Sequence, residues 1–311
     1  MNSTHTSAWK MIGCLAGLAL LLSVASAPAA SAQQRVRESK PAAATGTVDI
    51  YNLAGSVKVT GWNRSEVAIE GTLGEGTKNL EFEVTGNETV IRVEIYDERE
   101  RRERGIRRVE GSNLEIRIPH GSRLEANTVS ADIWSDTVDG ALRLETVSGT
   151  VEIGGEPERI GAKTISGDIE IRGSGGPVRA ESVSGHIIIR EVTGEVEANT
   201  ISGDIRITGR SIEEAYLSAL SGTVIFEGDL SPQAVVEVEI HSGSVTLILP
   251  ADVSADFDIT TFSGRIENEF GQQSERRSRY MPGRILSFQT GNAEARVRIK
   301  AFSGDVTLEK R

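Results

Sequence analysis

A serine followed by a glycine and often an aspartate recurs along this chain. The serines are Ser130, Ser148, Ser166, Ser184 and Ser202, and Asp132, Asp168, Asp204 and Asp305 take the slot after the glycine position. A hydroxyl beside a carboxylate suggests two chemistries, a nucleophile with an acid–base partner or oxygen ligands for calcium. Nucleophilic catalysis requires one serine with one matched histidine and acid. A serine repeated at every period has no such unique partner. Calcium requires several oxygens converging on one ion. The aspartate slot instead holds Thr150, His186, Thr223, Ser244 or Arg265 in other repeats, so it reads as a solvated outer face.

Two arginine-rich excursions offer different chemistry, because guanidinium groups bind carboxylate and phosphate bidentately. The first runs from Asp97 to Arg108 and includes Arg101, Arg102 and Arg104. The second runs from Ser274 to Arg284 and includes Arg276, Arg277 and Arg279. They read either as solvated hairpin tips or loops, or as contact points for an acidic partner such as an anionic polysaccharide or lipid head group. Trp62 and Trp134 would stack on sugar rings if exposed together, and otherwise fill separate structural places. His120 sits in a Pro-His-Gly turn and His186 faces outward, so no histidine pair has metal-ligand spacing. No catalytic residue, cofactor or metal site is expected.

These groups are positioned by a repeat. The glycines Gly149, Gly167, Gly185 and Gly203 lie 18 residues apart, with Ala131 one period earlier. Seven residues before them stand Leu124, Leu142, Ile160, Val178 and Val196, and five before them Ala126, Leu144, Ala162, Ala180 and Ala198. Two residues before them stand Val129, Val147, Ile165, Val183 and Ile201. After the glycine, Ile133, Val151, Ile169, Ile187 and Ile205 come two residues on, then Ser135, Ile153, Ile171, Ile189 and Ile207 at four. Spacing of two with β-branched residues is strand spacing, and all of these slots are read as inward. His241 falls in the slot of Val129 and is read as an inward anomaly held by a hydrogen bond at an altered corner. At the corner itself, glycine is expected to supply positive φ and serine a hydroxyl bonded to the turned backbone. Glu145, Lys163 and Glu181 alternate in sign on successive repeats, as a ladder of neighbouring charges does.

A short fixed period predicts stacked coils. The expected fold is all-β, a single-stranded parallel β-solenoid with 18-residue coils and an irregular β cap at the N-terminal end. Residues 45–118 would form entry and cap strands, 119–209 the regular repeats, and 210–311 looser repeats through Gly222, Gly243, Gly264 and Gly304, with an insertion between 265 and 296.

Residues 1–32 read as a signal peptide: Lys10, an apolar run from Met11 to about Ala25, then the small-x-small site Ala30-Ser31-Ala32. Export is expected, with cleavage near Ala32, a flexible leader over 33–44, and a periplasmic, extracellular or cell-surface location. Cys14, the chain's one cysteine, lies inside the apolar run, so the mature chain has no thiol. Loss of Lys10 with that segment takes the formal charge from −11 to −12. Such an acid excess argues against nucleic acid and anionic membrane as partners. After the signal no stretch approaches membrane-spanning length.

The segments Gly55-Ser56-Val57-Lys58-Val59-Thr60-Gly61-Trp62-Asn63 and Ile116-Arg117-Ile118-Pro119-His120-Gly121-Ser122-Arg123-Leu124, with the Thr-Val-Ser-Gly and Thr-Ile-Ser-Gly-Asp phrases, resemble the bacterial putative-adhesin family of β-strand repeats, a domain of unknown function. The likeness covers roughly residues 45 to 311. It implies an exported, surface-associated protein and carries over no catalytic residue. The reading is a non-catalytic, adhesin-like scaffold or binding module of the cell envelope, with envelope polysaccharide or another envelope protein as partner. The alternatives are a carbohydrate-active β-helix lyase or hydrolase, which would need converging carboxylates in a groove, and an envelope-stress signalling accessory. The sequence leaves the oligomeric state open.

Overall fold

The computed structural model describes residues 34–276 and 282–311, so the signal-peptide reading lies outside the described residues. In chain order the strands are β1 (Gln34–Pro41), β2 (Thr47–Trp62), β3 (Glu66–Leu73), β4 (Thr77–Thr85) and β5 (Glu88–Ile95). A short helix α1 (Glu98–Glu103) follows, then β6 (Ser112–Pro119), β7 (Arg123–Asp136), β8 (Leu142–Thr146), β9 (Val151–Gly154), β10 (Ile160–Thr164) and β11 (Ile169–Arg172). The remainder is β12 (Val178–Ser184), β13 (Ile187–Ser202), β14 (Ile205–Leu249), β15 (Ala255–Ser263), β16 (Ile266–Asn268), β17 (Glu275–Arg276), β18 (Arg284–Gln289) and β19 (Ala295–Lys310). Residues 33–44, expected as a flexible leader, contain β1, which pairs antiparallel with β3.

The all-β expectation holds, but the open single-stranded parallel solenoid is corrected. The strands belong to one 19-stranded sheet that closes as a seven-strand parallel barrel with extra strands. Five pairings are antiparallel, β1–β3, β3–β6, β4–β5, β15–β18 and β17–β18. The reason lies in what a period encodes. Eighteen residues fix who stands beside whom: Leu142, Ile160, Val178 and Val196 pair in parallel register across β8, β10, β12 and β13. They say nothing about closure, and the antiparallel strands come mostly from segments without the period.

Spatial order also departs from chain order. β2 lies between β7 on one side, where Val57 pairs with Ile133, and β5 and β6 on the other, where Ile50 pairs with Ile91 and Val57 with Leu114. Near the other end β19 lies between β14 and β15, and Val297 pairs with both Val236 and Phe257. The long Gly264–Gly304 spacing is the excursion through β16, β17 and β18 before the chain returns to that slot. Beyond it Phe257, Phe270 and Phe288 cluster, with Phe257 and Phe288 stacked at 4.5 Å.

The inward set needs one correction. Alternation from the slots seven and five before the glycine continues to the slot three before it, where Thr128, Thr146, Thr164, Ser182 and Thr200 are buried. Their hydroxyls donate to backbone carbonyls at the corner, Thr128 to Ala131 at 3.0 Å and Thr146 to the same oxygen at 3.3 Å. The apolar residue two before the glycine therefore points outward. Val129, Val147, Ile165, Val183, Ile201 and Leu220, with Phe302 and Phe262 farther on, form an exposed stripe, each 38% to 52% accessible. His241 belongs to this stripe and is exposed, lying flat on Phe302.

The corner works differently from expectation too. Among the described residues Ser130, Ser148, Ser166, Ser184 and Ser202 make no side-chain hydrogen bond; Ser148 contributes its backbone N–H, 2.7 Å from the Val129 carbonyl. Glycine is required by close approach: a Cβ on Gly185 would stand 1.8 Å from the carbonyl oxygen of Gly167. Gly149, Gly167 and Gly185 do without positive φ, which is found at Gly55, the partner of Ala131, at 106°, and again at 155° for Gly203 and 146° for Gly222.

Candidate functional site

The first arginine excursion opens as a helix, α1, and passes through a turn at Arg104 and Gly105 into a loop that holds Arg107 and Arg108. Asp97 caps α1: its carboxylate accepts from the Glu100 N–H at 2.8 Å and the Glu100 carboxylate accepts from the Asp97 N–H at 3.1 Å. Glu98 pairs with Arg102, and Arg99 with Glu103 at 3.1 Å, four residues apart as a helix permits. Arg104 lies over the Tyr96 ring at 4.3 Å, and the half-buried Arg101 Nε has no hydrogen-bond partner. Arg276 is exposed on β17 opposite Arg284, whose Nε donates to Ser274 Oγ at 2.8 Å. Arg277 and Arg279 lie outside the described residues. α1 follows β5, beyond β2, while β17 pairs with β18 at the other end of the ladder, so the excursions do not form one site.

The two tryptophans have different surroundings. Trp62 donates its indole N–H to the Glu66 carbonyl at 2.9 Å, and the Arg64 and Arg117 guanidinium groups stand over its ring at 4.9 and 5.8 Å. Trp134 is half-buried on the outer face of β7, between Lys58 of β2 and Glu152 of β9 in cross-strand register. It forms a wall shared by two clefts. One, of about 620 Å³, also takes Arg35, Arg37, Lys58 and Asn113; the other, of about 580 Å³, takes Lys58, Asp136 and Arg172. Among the described residues Lys58 has no ion-pair partner, whereas Arg37 is 3.3 Å from Glu70 and Arg172 3.7 Å from Glu152. Sequence reasoning noted Trp134 but missed Lys58 and Arg35. A register of β2 on β7 would have paired Lys58 with Trp134, but these strands are 76 residues apart.

The aspartates are structural connectors. Asp132, Asp168, Asp204 and Asp305 each accept, at 2.7–2.9 Å, from the backbone N–H of the residue in the same slot of a neighbouring repeat, Thr150, His186, Thr223 and Arg265 respectively. His186 Nδ1 accepts from the Asp204 N–H at 3.2 Å, and His120 Nδ1 lies 2.6 Å from the Thr137 carbonyl. That occupies both rings with backbone groups. The backbone N–H and guanidinium of Arg265 hold the Asp305 carboxyl below the usual range, and Arg179 does the same for Glu181. Lys163 and Glu181 meet at 3.2 Å, as the alternating charge ladder requires. Among the described residues no three His, Cys, Asp or Glu side chains gather as a metal-holding group, and no helix is long and apolar enough to cross a membrane.

These features define an all-β ladder protein whose polar surface residues mainly serve the ladder itself. The chain belongs to the Toastrack DUF4097 family, whose model matches residues 46–309. No curated protein matches it. Three solved structures resemble it at low identity. A putative cell adhesion protein from Clostridium sporogenes is 10% identical, with 89% of this chain and 100% of that one covered and a TM-score of 0.25. A putative adhesin from Bacteroides fragilis is 10% identical over 88% and 97%, with a TM-score of 0.42. A third, from Parabacteroides distasonis, is 9% identical over 90% and 98%, with a TM-score of 0.37.

Proposed function

We propose that this protein is an exported, non-catalytic binding module of the bacterial cell envelope that takes a polysaccharide on the Trp134 face. The supporting observation is Trp134 as the shared wall of two clefts, with Lys58 common to both and Arg35, Arg37 and Arg172 around them. An indole supplies an apolar platform for a sugar ring, and the flanking side chains supply the few directed polar contacts that orient a ligand. Glu70, Glu115, Asp136 and Glu152 line the same clefts, so an anionic sugar such as a uronate would place its carboxylate on Lys58 or Arg35, which have no ion-pair partner among the described residues.

A glycan array of neutral and uronic polysaccharides tests this, read beside lyase and hydrolase assays on the same preparation. Binding without cleavage, reduced roughly tenfold by Trp134→Ala and by Lys58→Gln, is expected. Cleavage of any polymer, or binding that both variants leave unchanged, would overturn the proposal.

A further inference from the structure

The exposed apolar stripe lies outside the core and outside the Trp134 face, from which the Ser-Gly corner separates it. It crosses nine successive levels of the ladder, from Val129 to Phe262; Leu220 and His241 both belong to β14, and Val147 and Ile165 lie at corners between strands. Half-exposed large side chains at nine levels present on the order of 700 Å² of apolar area, more than a typical monomer leaves to water. A stable dimer interface buries about 800 Å² per partner.

We infer that this stripe is the interface with a second copy of the same chain, packed antiparallel about a two-fold axis at Ile201. Ile201 is the fifth of the nine levels, so this axis overlaps the whole stripe. Two features of the sequence favour that arrangement.

The first is taper. The stripe has valines at one end and stacked rings at the other, where His241, Phe302 and Phe262 lie 4.7 and 5.0 Å apart. Antiparallel packing sets Val129 against Phe262 of the second copy and Val147 against its Phe302. Small then meets large along the seam, and the thickness stays even.

The second is charge. The slot two residues before each stripe residue runs beside the stripe, and from Lys163 to Thr260 it lines, together with stripe residues from Val183 to Phe262, a groove of about 820 Å³. A two-fold axis lying across the stripe brings this flank against the same flank of the second copy, with the levels reversed. Glu145 then faces Lys300 of the second copy, and Lys163 faces its Glu239. The remaining levels pair Asn127 with Thr260, Glu181 with Ser218 and Asn199 with itself, so no like charges meet. Within each copy Lys163 keeps Glu181 at 3.2 Å and Lys300 keeps Glu239 at 2.7 Å, so the facing pairs extend existing ladders. A parallel arrangement would instead set this flank against the uncharged serine edge, and the pairing would vanish.

Sedimentation equilibrium of the purified chain tests the inference. A dimer is expected, and Ile201→Asp should shift it to monomer with an unchanged circular dichroism spectrum, since that side chain is already half in water. Lys300→Glu should weaken association roughly tenfold, and adding Glu145→Lys to the same chain should restore it. A wild-type chain that stays monomeric at concentrations on the order of 100 μM would overturn the inference. So would a dimer that Ile201→Asp leaves intact, or a double charge swap that fails to recover what the single one lost. Glycan binding through Trp134 does not depend on these outcomes, so each proposal can fail alone.

Discussion

The imidazole of His241 lies flat on the Phe302 ring, centroids 4.7 Å apart and planes within 1° of parallel. Phe302 in turn stacks on Phe262 at 5.0 Å, so three strands brought together out of chain order share one column of rings. The column ties β14, β19 and β15 on the outside while their apolar residues do so on the inside. Phe302→Ala removes the middle ring. A loss of about 1–2 kcal/mol is expected, from the stacking and the remaining burial, read as a lowered urea midpoint with an unchanged slope.

Two glycines should respond unequally to the same substitution. Gly185→Ala drives a methyl group to 1.8 Å from a backbone carbonyl that cannot retreat without parting two strands. A cost on the order of 3 kcal/mol is expected. Gly194 has open space around it but a φ of 74°, so Gly194→Ala should cost only about 1 kcal/mol. Equal losses by thermal denaturation would show that approach distance is not what selects glycine at the corner.

Thr128→Val keeps the shape of a buried side chain and removes the hydroxyl that donates to the Ala131 carbonyl at 3.0 Å. Stability should fall by about 1 kcal/mol, with faster amide exchange confined to the adjoining corner. Ser148→Ala, at an exposed corner position without a side-chain bond, should change stability by less than about 0.5 kcal/mol.

Asp305 and Asp49 predict opposite acid responses. Arg265 lowers the Asp305 value, so the unfolded chain binds the proton more readily; this contribution is complete above about pH 3.9 and is lost as pH falls through the lowered folded value. Asp305→Asn should therefore be less stable than wild type at pH 6, by about 0.5 kcal/mol after solvent screening, and equal to it near pH 2. Burial first, then Glu125 and Glu88, raises Asp49. The folded chain binds that proton more readily, so Asp49 costs stability at neutral pH, and the cost disappears as pH falls through the raised value toward about 3.9. Asp49→Asn should stabilise the protein at pH 7 and have no effect in acid, as urea titrations across that range would show.

The repeat made the parallel register readable: Leu142, Ile160 and Val178 are neighbours because they occur at one interval. The same interval misled at the slot of Val129 and His241. Apolar character there suggests burial, while strict alternation from Leu124 and Ala126 leads to Thr128, a polar side chain buried because the backbone accepts its hydrogen. Closure, the interleaving of β2 and β19, and the Lys58–Trp134 neighbourhood were not readable. Each depends on pairing between segments that share no period, where nothing local distinguishes one partner from another. Helix α1 is legible in the sequence, since Asp97 and Glu100 have capping-box spacing and Glu98 and Arg102 are four apart, although its mixed charge equally suits a loop.

The placement of β19 between β14 and β15 also orders events in time. A chain made from its N-terminal end delivers β14 and β15 first, yet the two cannot settle in their final positions until β19 arrives to stand between them. β14 waits with an unpaired edge, and β15 waits with no permanent neighbour on that side. Completion of this end of the sheet is therefore tied to the emergence of residues 295–310, and a chain stopped short of them would keep an open, strand-accepting edge.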